Sequence, residues 1–322
     1  MPLDYATLKH WEFPDVPQRY TAKDTMLYAL GIGLGEDPSD TRQLHYVYED
    51  GLAAFPTMSV VLGYPGFWMR DPRAGIDWVR LVHGEQRLRI HAPLPPEGEV
   101  VGRSRITHVI DKGADKGAIV VVERNVLSHD GVCLATLTQS TFCRGDGGFG
   151  QGDAPPPPLP ATPDRPADAS ASLPVSPRAA LIYRLSADPN PLHVDPAVAQ
   201  AAGYPRPILH GLASFGMAAH AIVRERCDYD ASRLRQLDAR FSSPVYPGET
   251  LVFDLWDDGP GVVRFRARVA ERDVVALSHG TAAYECATRD RAAHDDSARD
   301  ASAQDRSARD PATPASTRRE AA

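Results

Sequence analysis

The sequence is poor in cysteine, in long apolar runs and in positive charge. Its four cysteines are scattered and none forms a C-x-x-C pair, which argues against a zinc ribbon or a thioredoxin-like site. No run of about 18 apolar residues occurs, so no transmembrane helix is expected. The N-terminus lacks a basic segment followed by an apolar one, so no signal peptide is expected. The formal net charge of −7 argues against nucleic acids and anionic membranes as partners, because both bind basic faces.

These absences leave a soluble globular class. With 43% apolar and 24% charged residues, the 322-residue chain has globular composition and the length of about two domains. Scattered thiols in such a chain are typical of a reduced, cytoplasmic protein.

Proline is abundant, with 29 residues, and it marks a boundary. Residues 144–176 pass from glycine into a proline run and then into small polar residues, which predicts a linker. Residues 288–322 contain no aromatic residue and no Leu, Ile, Val or Phe, which predicts a disordered tail. The division leaves an N-terminal domain at 1–143 and a C-terminal domain at 177–287.

Both blocks follow one order, a helical signal and then strands. Thr21 is a helix cap in the first block, and Ser176 with Pro177 opens a helix in the second. Strand patterns cover residues 84–94, 99–111, 118–130 and 132–144 in the first block and 237–245, 250–258, 261–271 and 274–286 in the second. Residues 93–99 resemble residues 244–249 in sequence and position, which favours a duplicated domain. Two unrelated α+β domains with similar turns are the alternative.

A helical pattern spans residues 210–228 and is apolar over most of its length, which is typical of a helix buried on all sides. Antiparallel strands wrapped around one such helix form a hot-dog domain. The sequence therefore predicts the α+β class and a double hot-dog fold, two hot-dog domains each with a sheet wrapped on a central helix.

One segment, residues 183–216, carries a set of chemically active groups. Asp188 and His193 are separated by four residues that include two prolines, which stiffen the chain and hold both side chains toward one spot. Gly211 stands at the start of the apolar helix, where free N–H groups and the helix dipole favour negative charge. An acid/base pair beside an oxyanion site suits addition of water to an α,β-unsaturated thioester. The alternative is a purely structural role, in which Asp188 caps a turn and His193 is a packed histidine.

The same segment resembles the signature of the MaoC-like, R-specific enoyl-CoA hydratases (hydratase 2), and the chain to about residue 287 resembles the hydratase 2 region of peroxisomal multifunctional enzyme type 2. The resemblance lies in both blocks at colinear positions. The matching stretches are residues 26–31, 81–86, 111–113, 147–150, 183–186, 188–193, 207–211, 239–241 and 244–248.

The resemblance implies hydration of trans-2-enoyl-CoA to (3R)-3-hydroxyacyl-CoA, and the reverse dehydration, with no metal and no cofactor. Asp188 and His193 would be the catalytic pair, with Asp188 the principal base. Asn190 would hold the water or the pair, and the N–H of Gly211 would bind the thioester oxygen.

The first block is expected to lack an active site, because its Asp37 and His45 are spaced differently and no glycine-led helix follows them. The resemblance implies that the first block instead provides space for the acyl chain and some of the residues that bind the CoA thioester. These substrate-binding residues are His83, Gly84, Lys112 and Phe241, the last from the second block. A homodimer is also implied.

Two other functions compete with the hydratase. Hot-dog thioesterases also bind acyl-CoA and activate water, but they attack the carbonyl carbon. A non-catalytic acyl-CoA-binding subunit has no need for Asp188 and His193.

Overall fold

A computed structural model describes residues 3–186 and 188–286. The predicted tail at 288–322 lies outside the described residues. The ten strands are β1 (Val16–Tyr20), β2 (Leu81–Ile90), β3 (Gly98–Asp111), β4 (Ala118–Ser128), β5 (Cys133–Cys143), β6 (Ala169–Pro174), β7 (Leu234–Phe241), β8 (Thr250–Asp257), β9 (Val262–Val269) and β10 (Val274–Tyr284).

All ten strands join into one antiparallel sheet in the order β1-β3-β4-β5-β2-β7-β10-β9-β8-β6. The first five positions mirror the last five, because β2 corresponds to β7, β5 to β10, β4 to β9, β3 to β8 and β1 to β6. The same connectivity therefore occurs twice, which agrees with the duplicated domain that the sequence predicts. The architecture is a double hot dog, as expected.

The two halves meet at β2 and β7, where backbone pairing runs from Glu85 opposite Arg240 to Arg89 opposite Gln236. Ion pairs reinforce this seam: Arg240 contacts Glu85 at 2.7 Å, and Arg89 contacts the buried Asp238 at 2.6 Å. The N- and C-terminal blocks thus share one sheet rather than standing as separate lobes.

The two strands that the sequence analysis missed, β1 and β6, are the edges of the sheet. β6 lies inside residues 144–176, so the linker prediction is wrong for Ala169–Pro174, which pair with β8. Both strands are short, and they contain Pro17 and Pro174, which sheets tolerate at their edges. Five or six residues with a proline give too little alternation to stand out from a loop.

Six α-helices in the described part of the chain accompany the sheet. They are α1 (Tyr5–Lys9), α2 (Ala22–Gly31), α3 (Leu44–Val47), α4 (Ala179–Tyr183), α5 (Pro196–Ala201) and α6 (Gly211–Cys227). Of these, α6 packs on β6, β7 and β10, and α1 packs on β3. Thr21 caps α2 in a capping box with Asp24, as predicted. Among the described residues, no helix is both long enough and apolar enough to cross a membrane.

Helix α6 is the central helix of the C-terminal half, and twelve of its seventeen residues are buried. Gly216 lets α2 approach it closely, because a Cβ there would lie 2.4 Å from the Ile32 side chain. Position 216 therefore requires glycine.

The N-terminal half has a short 3-10 segment, Pro56–Val61, in place of a long central helix. The chain then turns at Gly63, whose φ of +59° and tight contact with the Gly102 backbone leave no space for a Cβ. The loop that follows is therefore fixed against β3, and the inner face of this half of the sheet is less filled by helix.

Candidate active site

The loop after α4 holds Asp188 in place by local hydrogen bonds. The backbone N–H of Asn190 donates to Asp188 Oδ1 at 3.0 Å, and the Asn190 side-chain Oδ1 accepts from the N–H of Leu192 at 3.0 Å. Pro191 starts a 3-10 turn that ends at His193. Asn190 is thus a positioning residue for the loop, and its Oδ1 is committed to the turn.

His193 is buried and its tautomer is fixed by the backbone. Its Nδ1 lies 2.9 Å from the carbonyl of Ile208, which assigns the proton to Nδ1 and leaves a lone pair on Nε2. That Nε2 lies 4.0 Å from Asp188 Oδ2, whose side chain is half exposed. Burial lowers the pKa of His193, so the imidazole is neutral at pH 7.

His210 is the neighbour that the sequence analysis gave no role. Its Nε2 lies 3.1 Å from the backbone carbonyl of Asp188, and its ring stacks on His193 with centroids 3.6 Å apart. Burial lowers its pKa to about 3, so the ring is uncharged. The signal was its place directly before Gly211, within the stretch that carries the resemblance.

Gly211 is the first residue of α6, where the N–H groups have no partner inside the helix. A Cβ at this position would lie 3.1 Å from the Phe241 ring. The Phe241 ring in turn lies 4.5 Å from that of His83. The fold therefore brings Gly211, Phe241 and His83 to one place.

His83 contributes a buried, uncharged imidazole beside Phe241. Burial lowers its pKa to about 4, and its Nε2 is buried without a hydrogen-bond partner. The negative charge of Asp188 acts to raise the pKa of His83, against the effect of burial, so the two side chains interact electrostatically. Gly84 lies at an irregularity in the pairing of β2 with β5, beside the carbonyl of Ser140.

Lys112 lies further away than the other candidate residues. It is exposed in the turn between β3 and β4, at the same end of the sheet as Leu81. Three strand spacings of about 4.8 Å separate β3 from β2, so Lys112 is on the order of 14 Å across the sheet from the strand of His83. Asp111 holds the adjoining segment through the N–H groups of Gly148 and Gly150.

The ligand atoms of Asp188, His193 and His210 lie within 4.8 Å of one another, and their residue types are those of zinc sites. The two imidazole rings are stacked with only 26° between their planes. A metal bound in the plane of one ring at about 2 Å cannot lie in the plane of the other. The arrangement suits proton transfer better than metal binding.

Comparison with known proteins agrees with this geometry. Residues 18–145 match the MFE-2 hydratase 2 N-terminal domain, and residues 158–279 match the MaoC like domain. An enoyl-CoA hydratase of Mycobacterium tuberculosis is 38% identical over 283 residues, which cover 86% of this chain and 98% of that protein. Peroxisomal multifunctional enzyme type 2 of Mus musculus is 36% identical over 279 residues, covering 83% of this chain and 37% of that enzyme.

Solved structures show the same likeness. A MaoC-like dehydratase from Phytophthora capsici is 32% identical, with a TM-score of 0.79 over 89% of this chain and 100% of that one. A Mycobacterium tuberculosis protein described as a double hotdog fold has a TM-score of 0.53 at 14% identity, over 85% of this chain and 96% of that one, which supports the fold. This chain belongs to the MaoC-like hydratase 2 family.

Proposed function

We propose that this protein adds water to trans-2-enoyl-CoA to give (3R)-3-hydroxyacyl-CoA, and catalyses the reverse dehydration, in fatty acyl-CoA metabolism. The observation that carries the proposal is the pair of acceptors, His193 Nε2 and Asp188 Oδ2, 4.0 Å apart beside the N-terminus of α6. That distance is too long for a direct hydrogen bond and suits one water that donates to both atoms.

The reaction then follows from these positions. The bridging water attacks Cβ of the enoyl thioester while Asp188 accepts its proton, and His193 Nε2 orients the water and shares the proton transfer. Negative charge moves to the thioester oxygen, where the N–H of Gly211 and the helix dipole stabilise it. The pair returns a proton to Cα, so water is added without net change at the enzyme.

The substrate would span both halves of the sheet. His83, Gly84 and Phe241 would contact the thioester, and Lys112 would pair with a CoA phosphate, since it is an exposed cation beside a glycine. The acyl chain would occupy the inner face of the N-terminal half, where the 3-10 segment Pro56–Val61 stands in place of a long helix.

Purified protein with trans-2-decenoyl-CoA tests the proposal. Loss of the enoyl-thioester absorbance with a (3R)-3-hydroxydecanoyl-CoA product, resolved on a chiral column, is the expected result. Release of free CoA would identify a thioesterase instead. Binding without turnover would identify a non-catalytic acyl-CoA-binding subunit.

We further infer that the reaction needs no cofactor or metal and that the protein is a cytoplasmic homodimer. Stacking of His193 on His210 supports the first point, and the family resemblance supports the dimer. Scattered cysteines support the cytoplasm. Turnover after dialysis against EDTA, light scattering of the purified protein and cell fractionation test the three points in turn.

A further inference from the structure

The inner face of the N-terminal half carries a buried arginine with no ionic partner. Arg124 on β4 is 8% exposed, and burial lowers its pKa to about 10, so it stays charged at neutral pH. Its Nη2 donates to the carbonyl of Val60 at 2.6 Å, and its Nε is buried without a partner. Within residues 3–186 and 188–286, no carboxylate forms an ion pair with it.

The aromatic ring of Tyr64 packs against this cation. Its ring centroid lies 5.5 Å from the guanidinium carbon of Arg124, and its side chain belongs to a residue that is 40% exposed. Burial raises the pKa of Tyr64, the charge of Arg124 opposes that effect, and the charge of Asp188 adds to it. The charges of Arg124 and Asp188 therefore both act on the Tyr64 phenol.

Strand register places Arg124 in the part of the N-terminal half that we propose for the acyl chain. Val120 of β4 pairs with Thr141 of β5, and Thr141 pairs with His83 of β2. Arg124 is four residues beyond Val120, or about 13 Å further along the strand, away from the end that carries Lys112. The neighbouring Glu123 lies on the opposite face, where it pairs with Arg105.

A charge buried without a counterion is costly, and a neutral carbonyl and an aromatic face offset that cost only in part. A carboxylate compensates it by pairing with the planar guanidinium through two parallel hydrogen bonds. We propose that Arg124, beside the ring of Tyr64, binds a carboxylate on the far end of the acyl chain, so that the substrates include ω-carboxyacyl-CoA thioesters. This substrate class rests on the proposed hydratase function.

Two enoyl thioesters test the assignment: trans-2-decenoyl-CoA and the mono-CoA thioester of trans-2-decenedioic acid. Arg124→Met is expected to lower the ratio of kcat/KM for the carboxylated over the plain substrate at least tenfold. Arg124→Lys, which keeps the charge but loses the planar fork, is expected to lower it less. Arg105→Met, on the outer face of the same sheet, is the matched control and is expected to leave the ratio as in wild type.

Binding separates this inference from the hydratase reaction. The saturated analogues, decanoyl-CoA and the mono-CoA thioester of decanedioic acid, are titrated by calorimetry into wild type and Arg124→Met. At least a tenfold loss of affinity for the carboxylated analogue alone supports the carboxylate site even if no enoyl substrate is turned over. Equal discrimination in wild type and Arg124→Met overturns it. If circular dichroism shows that Arg124→Met does not fold, Arg124→Lys is compared with wild type instead. A threefold loss of affinity for the carboxylated analogue alone then supports the site, and equal discrimination overturns it.

Discussion

The rings of His193 and His210 are stacked 3.6 Å apart, yet they are held by different backbone carbonyls. His193 is fixed by the carbonyl of Ile208, just before α6, while His210 is fixed by the carbonyl of Asp188, in the loop after α4. Each imidazole therefore ties the loop to the start of the central helix from one side. One small cluster therefore positions both the Asp188–His193 pair and the start of α6, where we propose the oxyanion site.

Asp188→Asn is expected to lower kcat for hydration by 10²–10⁴-fold, because general acid–base groups typically contribute that much and the amide cannot accept the proton. Affinity for a saturated acyl-CoA should stay within a few-fold, since the side chain is half exposed. The matched control is Asp37→Asn, in the corresponding stretch of the first half, which should turn over like wild type. Unchanged turnover in Asp188→Asn would refute the assignment of the base.

The pH profile should reflect the burial of His193. Its neutral form is needed to orient the water, and burial lowers its pKa below the usual 6.5. The midpoint of protonation, and with it of the loss of activity, therefore lies below pH 6.5. The measurement is kcat/KM from pH 4.5 to 8, on substrate and protein that are stable over the assay. An acidic limb with a midpoint at or above 6.5 would contradict the stacked, buried geometry.

Much of the fold could be predicted because its strongest signals are periodic or repeated. Eight strands run for eight or more residues, and α6 is buried over most of its length. The edge strands β1 and β6 could not be found the same way, since each is short, contains proline and is half exposed. Their existence depends on pairing with β3 and β8, which no local pattern reveals.

The site was predictable in its residue types but not in its geometry. Spacing alone indicates that Asp188 and His193 share a stiff turn, and the start of α6 indicates the role of Gly211. The hydrogen bond from His210 to the Asp188 carbonyl joins residues 22 positions apart, and only the folded chain shows it. Arg124 was missed for a similar reason, since an arginine within a strand is normally expected on the exposed face.

Gly211→Ala should weaken catalysis through crowding. The new methyl group would lie 3.1 and 3.2 Å from two carbons of the Phe241 ring, so the ring must shift or the start of α6 must move. The N–H is retained but its approach to the thioester oxygen changes, and we expect a loss of at least tenfold in kcat/KM. Gly203→Ala, at an exposed turn after α5, is the control for a destabilising glycine substitution: at its φ of +87° alanine is strained, so stability should fall while kcat/KM stays as in wild type. Equal kinetics in Gly211→Ala and wild type would contradict this prediction and show that the methyl group is accommodated without displacing the N–H.

A buried histidine outside the site should make stability depend on pH. His220 of α6 is 1% exposed, with Nδ1 3.2 Å from the carbonyl of Ile32 and Nε2 3.4 Å from the Tyr229 hydroxyl. Burial lowers its pKa from 6.5 to about 4. Between pH 6.5 and about 4, His220 therefore binds a proton in the unfolded chain but not in the folded chain.

The free energy of unfolding should be unaffected by His220 above pH 6.5 and fall as the pH drops toward 4, by about 3 kcal/mol from this group. His220→Gln, which keeps a donor but does not titrate, should be less stable at pH 7.5 by about 1 kcal/mol because it loses part of this bonding. Its stability should then fall less steeply than that of wild type toward pH 4. Urea unfolding at pH 7.5, 6, 5 and 4.5 measures both slopes, and parallel slopes would show that His220 binds its proton equally in the folded and unfolded states.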